Sequence, residues 1–158
     1  MPAVNPPSPI DVLIAEDEAI DLELTLRGLR QVPLRGGMQV VHDGQEAVDF
    51  LLAQGRHAGR RDAPPPRLVL LDVKLPKLDG LEVLARLRAH PATRLVPVVM
   101  LSSSQERVDV QRSHRLGANS YVVKPVQFED YLQALRRVGR YWLELNQPAE
   151  DGSPGMPS

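Results

Sequence analysis

LVLLDVKLPKLDG, residues 68–80, places four consecutive apolar side chains directly before a carboxylate. A short apolar run of this kind reads as a buried strand. Apolar residues on both of its faces are the mark of a parallel sheet covered on both sides. Yet the run ends on Asp72, and burying an unpaired charge is costly. After the loop, Leu81, Leu84 and Leu87 recur at helical spacing, with Asp79 placed to cap the helix. The stretch is therefore strand, loop and helix, with a carboxylate at the point where the strand stops.

The same unit repeats along the chain. Ile10–Ala15 is a first strand, ended by Glu16, Asp17 and Glu18, and Leu22, Leu26 and Leu29 follow at helical spacing. Val40 and Val41 form a second short run, closed by the turn signal Asp43-Gly44, with Ala47, Val48, Leu51 and Leu52 in the next helix. Residues 55–66 read as a loop, since three consecutive prolines, 64–66, exclude a helix there. Val96–Leu101 is the fourth strand. Val108, Val110 and Leu116 fit a helix weakly, and Tyr121–Val123 is the fifth strand. Phe128, Leu132, Leu135, Val138, Trp142 and Leu145 predict one long terminal helix. Five β-α units predict an α/β fold, a doubly wound five-stranded parallel sheet. Right-handed crossovers bring all strand ends to one edge, where ligands of such sheets bind.

That edge collects a particular chemistry. Strand one delivers Glu16 and Asp17, strand three Asp72, strand four Ser102, Ser103 and Ser104, and strand five Lys124. Carboxylates this close raise one another's pKa unless a cation sits among them. Oxygen ligands with room for water suit Mg²⁺. A carboxylate facing a metal and a lysine could attack phosphorus and form an aspartyl phosphate. The chain has 16 arginines but only three lysines, and two of these, Lys74 and Lys77, lie within five residues of Asp72. Taken singly, each residue has a plainer role. Acids cap helices, serines make turns, and lysines are usually solvated. Their coincidence at one edge favours the chemical reading.

Composition narrows the alternatives. A net charge of −1 and 42% hydrophobic residues fit a soluble globular domain, with no basic arm for nucleic acid. No cysteine is present, which excludes disulfides and thiolate catalysis. No apolar run is long enough to span a membrane and no signal pattern opens the chain, so a cytoplasmic location is expected. Residues 1–9 and 148–158 read as flexible tails around a domain at 10–147. No nucleotide-binding glycine motif occurs.

These residues resemble the receiver domain of two-component response regulators, from about Ile10 to Asn146. The resemblance rests on Glu16-Asp17, the LLDVKLPKLDG stretch, VVMLSSS and YVVKP. It implies the flavodoxin-like strand order 2-1-3-4-5 and a phosphorelay in which Asp72 accepts a phosphoryl group from a histidine kinase. Glu16, Asp17, Asp72 and the backbone carbonyl of Lys74 would bind Mg²⁺. Ser102 and Lys124 would hold the phosphoryl oxygens, and a cis Lys124–Pro125 bond would aim the lysine inward. Tyr121 matches an aromatic that turns inward when the hydroxyl moves, and Lys74 and Ser104 occupy positions that tune hydrolysis. The expanded loop before strand three and the terminal YWLELN are similar to regulators that serve bacterial phytochromes. That implies a bacteriophytochrome kinase as partner, and a homodimer through the last strand and helix with Tyr141, Trp142 and Leu145 as interface candidates. Only a helix and a tail follow strand five, so no DNA-binding module is expected and output would run through protein contacts. The expected protein is a single-domain switch rather than a turnover enzyme. A dehalogenase-type hydrolase would need an acid two residues after the nucleophile, where this chain has Lys74. An unphosphorylated scaffold or a phosphate sink are the remaining alternatives.

Overall fold

In the computed structural model, which describes residues 9–149, strand side chains alternate between two cores. The strands are β1 (Ile10–Ala15), β2 (Gly37–Val41), β3 (Leu68–Asp72), β4 (Val98–Ser102) and β5 (Ser120–Val123). They form one sheet of order β2-β1-β3-β4-β5, and every neighbouring pair is parallel. The helices are α1 (Ala19–Leu29), α2 (Gly44–Leu51), α3 (Gly80–Ala89), α4 (Arg107–Arg115) and α5 (Phe128–Arg140). Leu13, Ala15, Val69, Leu71, Val98 and Met100 pack with Val48 of α2 and Leu84 of α3. Val12, Ile14, Leu68, Leu70, Val99 and Leu101 pack on the other face with Leu24 of α1 and Tyr131 and Leu135 of α5.

This pleat has period two, and it decides where the edge residues point. Glu16 follows the parity of Val12 and Ile14, Asp72 that of Leu68 and Leu70, and Lys124 that of Val122. All three therefore project toward the α1/α5 side. A one-residue slip in any strand would send its charge to the opposite face.

Four details differ from the sequence reading. The stretch before the prolines is not bare loop, because Gly55–Arg60 forms a 3₁₀ turn. It is held by Arg60 stacked 3.7 Å from the centre of the Phe50 ring and by the Arg56–Glu46 ion pair. Strand β2 begins at Gly37, three residues earlier than its valines, because pairing with β1 recruits Met38 and Gln39. Strand β4 starts at Val98 rather than Val96. The terminal helix is not uniform: α5 ends at Arg140, and Tyr141–Leu145 is a π-helical turn closed by Asn146 N–H to Tyr141 O at 2.7 Å. This wider turn presents the carbonyl of Leu143 to the Arg67 guanidinium. Arg67 also lies 3.8 Å from Asp11, whose other oxygen accepts the N–H groups of Arg35 and Gly36, both at 2.7 Å. One polar cluster thus ties the end of the chain to the start of the sheet. The expected tails, apart from Pro9, Pro148 and Ala149, lie outside the described residues.

Asp79 caps α3 as expected, accepting from Glu82 N–H at 2.9 Å, and Asp43 caps α2 in the same way. Gly80, the first residue of α3, sits directly against the end of β3. A Cβ there would lie 2.2 Å from the Asp72 carbonyl oxygen and 2.9 Å from Val73 Cα. Both are backbone atoms that cannot rotate away. Gly80→Ala is expected to lower stability by roughly 1–3 kcal/mol, the usual cost of overpacking, as read by urea unfolding. An unchanged midpoint would show that the β3–α3 connection yields without cost.

Candidate functional site

At the carboxyl edge of the sheet, β3 ends between β1 and β4, so Asp72 is flanked on both sides. It does not emerge into solvent: the residue is 5% exposed and belongs to the strand itself. Its charge is met by hydrogen bonds. One oxygen, Oδ2, accepts from Lys124 Nζ at 2.8 Å, and the other, Oδ1, accepts from the backbone N–H of Lys74 at 3.0 Å.

Lys124 arrives from just beyond β5, where its N–H donates to the Ser102 carbonyl at 2.7 Å. Besides Asp72, its ammonium donates to Glu16 Oε1 at 3.0 Å and Asp21 Oδ2 at 2.8 Å. The expected cis Lys124–Pro125 bond is corrected: no described peptide bond is cis. The β5 register and the three carboxylates direct the lysine inward without it.

The lysine offsets much of the acidic charge gathered here. Burial works against an ammonium, but hydrogen bonds to Asp21 and Asp72 and the charges of Asp72 and Glu16 outweigh it and hold Lys124 above the usual lysine range. Glu16 is 1% exposed. Burial, and then the neighbouring Asp72 carboxylate, push its carboxyl up to about 9. Its second oxygen, Oε2, is buried without a hydrogen-bond partner.

That unpartnered oxygen bears on the metal expected from the sequence. Among the described residues, no three acidic or histidine side chains converge tightly enough to enclose an ion. Mg²⁺ needs no such cage, since it keeps several waters and uses one or two carboxylates. Asp72, with Asp17 and Lys74 on the rim of its pocket, offers oxygens that suit a hydrated divalent ion, while Glu16 Oε2 is buried and does not line that pocket.

The pocket holds about 330 Å³ and is lined by Asp17, Asp21, Asp72, Lys74, Ser102 and Lys124, among others. Ser102 is buried, and its Oγ accepts from Ser104 N–H at 3.0 Å. Ser104 and Tyr121 do not line the pocket. The Ser104 hydroxyl donates to Asp109 at 2.5 Å, and the Tyr121 hydroxyl donates to the Ser104 carbonyl at 2.7 Å. They form a connected layer behind Ser102, at the start of α4. Lys77 does not reach the pocket either; it is exposed and lies 3.5 Å from Asp43. Asp21 is the residue that sequence reasoning missed. Its only signal was its place four residues after Asp17, where an acid in the first helical turn already has an explanation in the helix dipole.

Comparison with known proteins agrees with this geometry. Residues 12–136 match the response regulator receiver domain, and the chain belongs to that family. It is 36% identical over 148 residues to the probable methanogenesis regulatory protein FilR2 of Methanothrix harundinacea, a match covering 93% of this chain and 89% of that one. It is 35% identical over 140 residues to the response regulator Rcp1 of a Synechocystis species, covering 89% and 92%. The crystal structure of the Mn²⁺-bound form of Rcp1 superposes with a TM-score of 0.82 at 32% identity, covering 90% of this chain and 100% of that one. The bacteriophytochrome response regulator AtBRR superposes with a TM-score of 0.68 at 44% identity, covering 89% and 100%. The fold is the flavodoxin-like one that the resemblance implied, and no helix among the described residues is long and apolar enough to cross a membrane.

The raised Glu16 carboxyl has a consequence for stability. In the unfolded chain it titrates near 4.5, in the folded protein near 9. Between these values the folded state holds a proton that the unfolded state has lost, so this group's stabilising contribution falls as pH rises. Metal-free protein is expected to melt at progressively lower temperature from about pH 5 to about pH 9, and Glu16→Gln to flatten that slope. Thermal melts across this range, in chelator, measure both.

Proposed function

We propose that this chain is a phosphorylation-driven signalling switch in which Asp72 accepts a phosphoryl group from the phosphohistidine of a sensor histidine kinase. The observation that carries the reading is the state of Asp72. It is a buried carboxylate with one oxygen on a lysine ammonium and the other on a backbone N–H, facing a polar pocket of about 330 Å³. In the transfer, a bond forms between an Asp72 oxygen and phosphorus while the bond from phosphorus to the imidazole nitrogen breaks. The nitrogen keeps the electron pair. Lys124 and the Ser102 hydroxyl then bond the phosphoryl oxygens.

A divalent ion, held by Glu16, Asp17, Asp72 and the Lys74 carbonyl, would neutralise charge on the transferring group. The chain's own residues fix the geometry: β3 and β4 align Asp72 and Ser102, and β5 brings in Lys124. The Ser104–Tyr121 layer connects Ser102 to α4, which gives a route by which movement of the hydroxyl reaches the surface. Lys74, exposed on the pocket rim, would tune hydrolysis directly, and Ser104 would do so from behind Ser102. The likeness to AtBRR, described as a bacteriophytochrome response regulator, supports a bacteriophytochrome as the kinase.

Output is proposed to run through protein contacts, including a homodimer along β5 and α5. Val123, Val126 and Phe128 are exposed there, as are Tyr141 and Leu145 beyond α5. Trp142 is divided between roles. It packs partly against its own core and meets Tyr141 edge-on at 4.9 Å.

Incubation with Mg²⁺ and a small phosphodonor is expected to add one phosphoryl mass to the wild type and none to Asp72→Asn. Addition to neither, or to both alike, would leave Asp72 without this role. For the dimer, light scattering at tens of micromolar (roughly the range of weak dimers) is expected to give twice the monomer mass, and Leu145→Asp to lower it. A monomeric wild type would count against the interface.

A further inference from the structure

Lys124 has three ammonium protons, and three acidic side chains accept them: Glu16, Asp72 and Asp21. The phosphoryl chemistry accounts for the first two. The third lies in the first turn of α1, and its carboxylate lines the same pocket as Asp72 and Ser102. With every donor committed, the lysine cannot bond an incoming phosphoryl oxygen without releasing one of these partners.

Exposure decides which one. The side chains of Glu16 and Asp72 are 2% and 7% exposed, whereas that of Asp21 is 31% exposed. Before transfer, neither buried side chain has water to replace the lysine, whereas the Asp21 carboxylate, open to water, is rehydrated. The Asp21 bond is therefore the one to give way. Once released, its charge still faces a group carrying close to two negative charges.

Resting on the reading of Asp72 as the phosphoacceptor, we propose that Asp21 is a positioning residue that holds Lys124 while Asp72 is unmodified and competes with the phosphoryl group for that lysine. Asp21 touches neither phosphorus nor the attacking oxygen. It acts through Lys124 and through its charge, opposing an anionic donor and so setting how readily the switch is phosphorylated.

The test uses the full chain, Mg²⁺ and phosphoramidate, in which the phosphorus–nitrogen bond breaks as the Asp72 oxygen–phosphorus bond forms and the nitrogen leaves as ammonia. Rates are measured against donor concentration for the wild type, Asp21→Asn and Asp72→Asn, at low and high KCl. Asp21→Asn is expected to be phosphorylated about threefold to fivefold faster at low donor, the scale of one partly exposed charge pair. The gain should fall on the half-saturating donor concentration and shrink as salt screens the charge. A rate at or below wild type overturns the proposal, as does a gain that salt leaves unaltered. If Asp21→Asn does not fold by circular dichroism, Asp21→Ala is read by the same criteria, and failure of both to fold marks Asp21 as structural and overturns it equally. A wild type that takes no phosphoryl group removes the Asp72 reading and this proposal together. A wild type labelled only on Asp72, with Asp21→Asn no faster, removes this proposal alone.

Discussion

A single ammonium at the carboxyl edge of the sheet holds the site together. Lys124 Nζ lies within 3.0 Å of carboxylate oxygens from β3, α1 and the end of β1, while its own backbone is pinned to β4. Without it, buried acids would face one another at close range, and each would be pushed toward its protonated form. With it, Asp72 has a partner, while burial and the nearby Asp72 still push the Glu16 carboxyl up. Because the lysine is the last strand's contribution, the site is complete only when β1, β3, β4 and β5 are in register.

The sheet supplies that register through its pleat. Alternate residues of β1, β3 and β4 enter one core or the other, so the same apolar pattern that drives folding fixes the side on which each terminal charge projects. Stability and function are thus coupled through geometry more than through energy. The apolar runs stabilise the fold by burial, and their parity aims Glu16, Asp72 and Lys124 at one volume. The close approach of Gly80 to the Asp72 backbone shows how little room remains around the end of β3 for a shift.

Much of this was legible in the residues. LVLLD announced a strand buried on both faces and ending in a charge, and Asp79-Gly80 announced the helix start. The acids, the serine and the lysine at successive strand ends pointed to the pocket. The misreadings share a cause. The 3₁₀ turn at 55–60 depends on Arg60 reaching Phe50, the early start of β2 on pairing with β1, and the π-helical end of α5 on Arg67 reaching Leu143. None of these is visible in local periodicity, because each partner lies elsewhere in the chain. The same is true of Asp21, whose place in a helical first turn already had a sufficient local explanation.

The sequence by itself determined the strand and helix order, the residue types at each strand end and therefore the class of chemistry, because apolar period and terminal charge are local properties of the chain. Only the tertiary structure decided who pairs with whom. It kept Asp72 buried, gave Lys124 a third carboxylate, left one oxygen of Glu16 without a partner, and set Ser104 and Tyr121 behind the pocket instead of in it. Those outcomes depend on distances between strands and helices far apart in sequence, and electrostatics at a buried edge is governed by such distances.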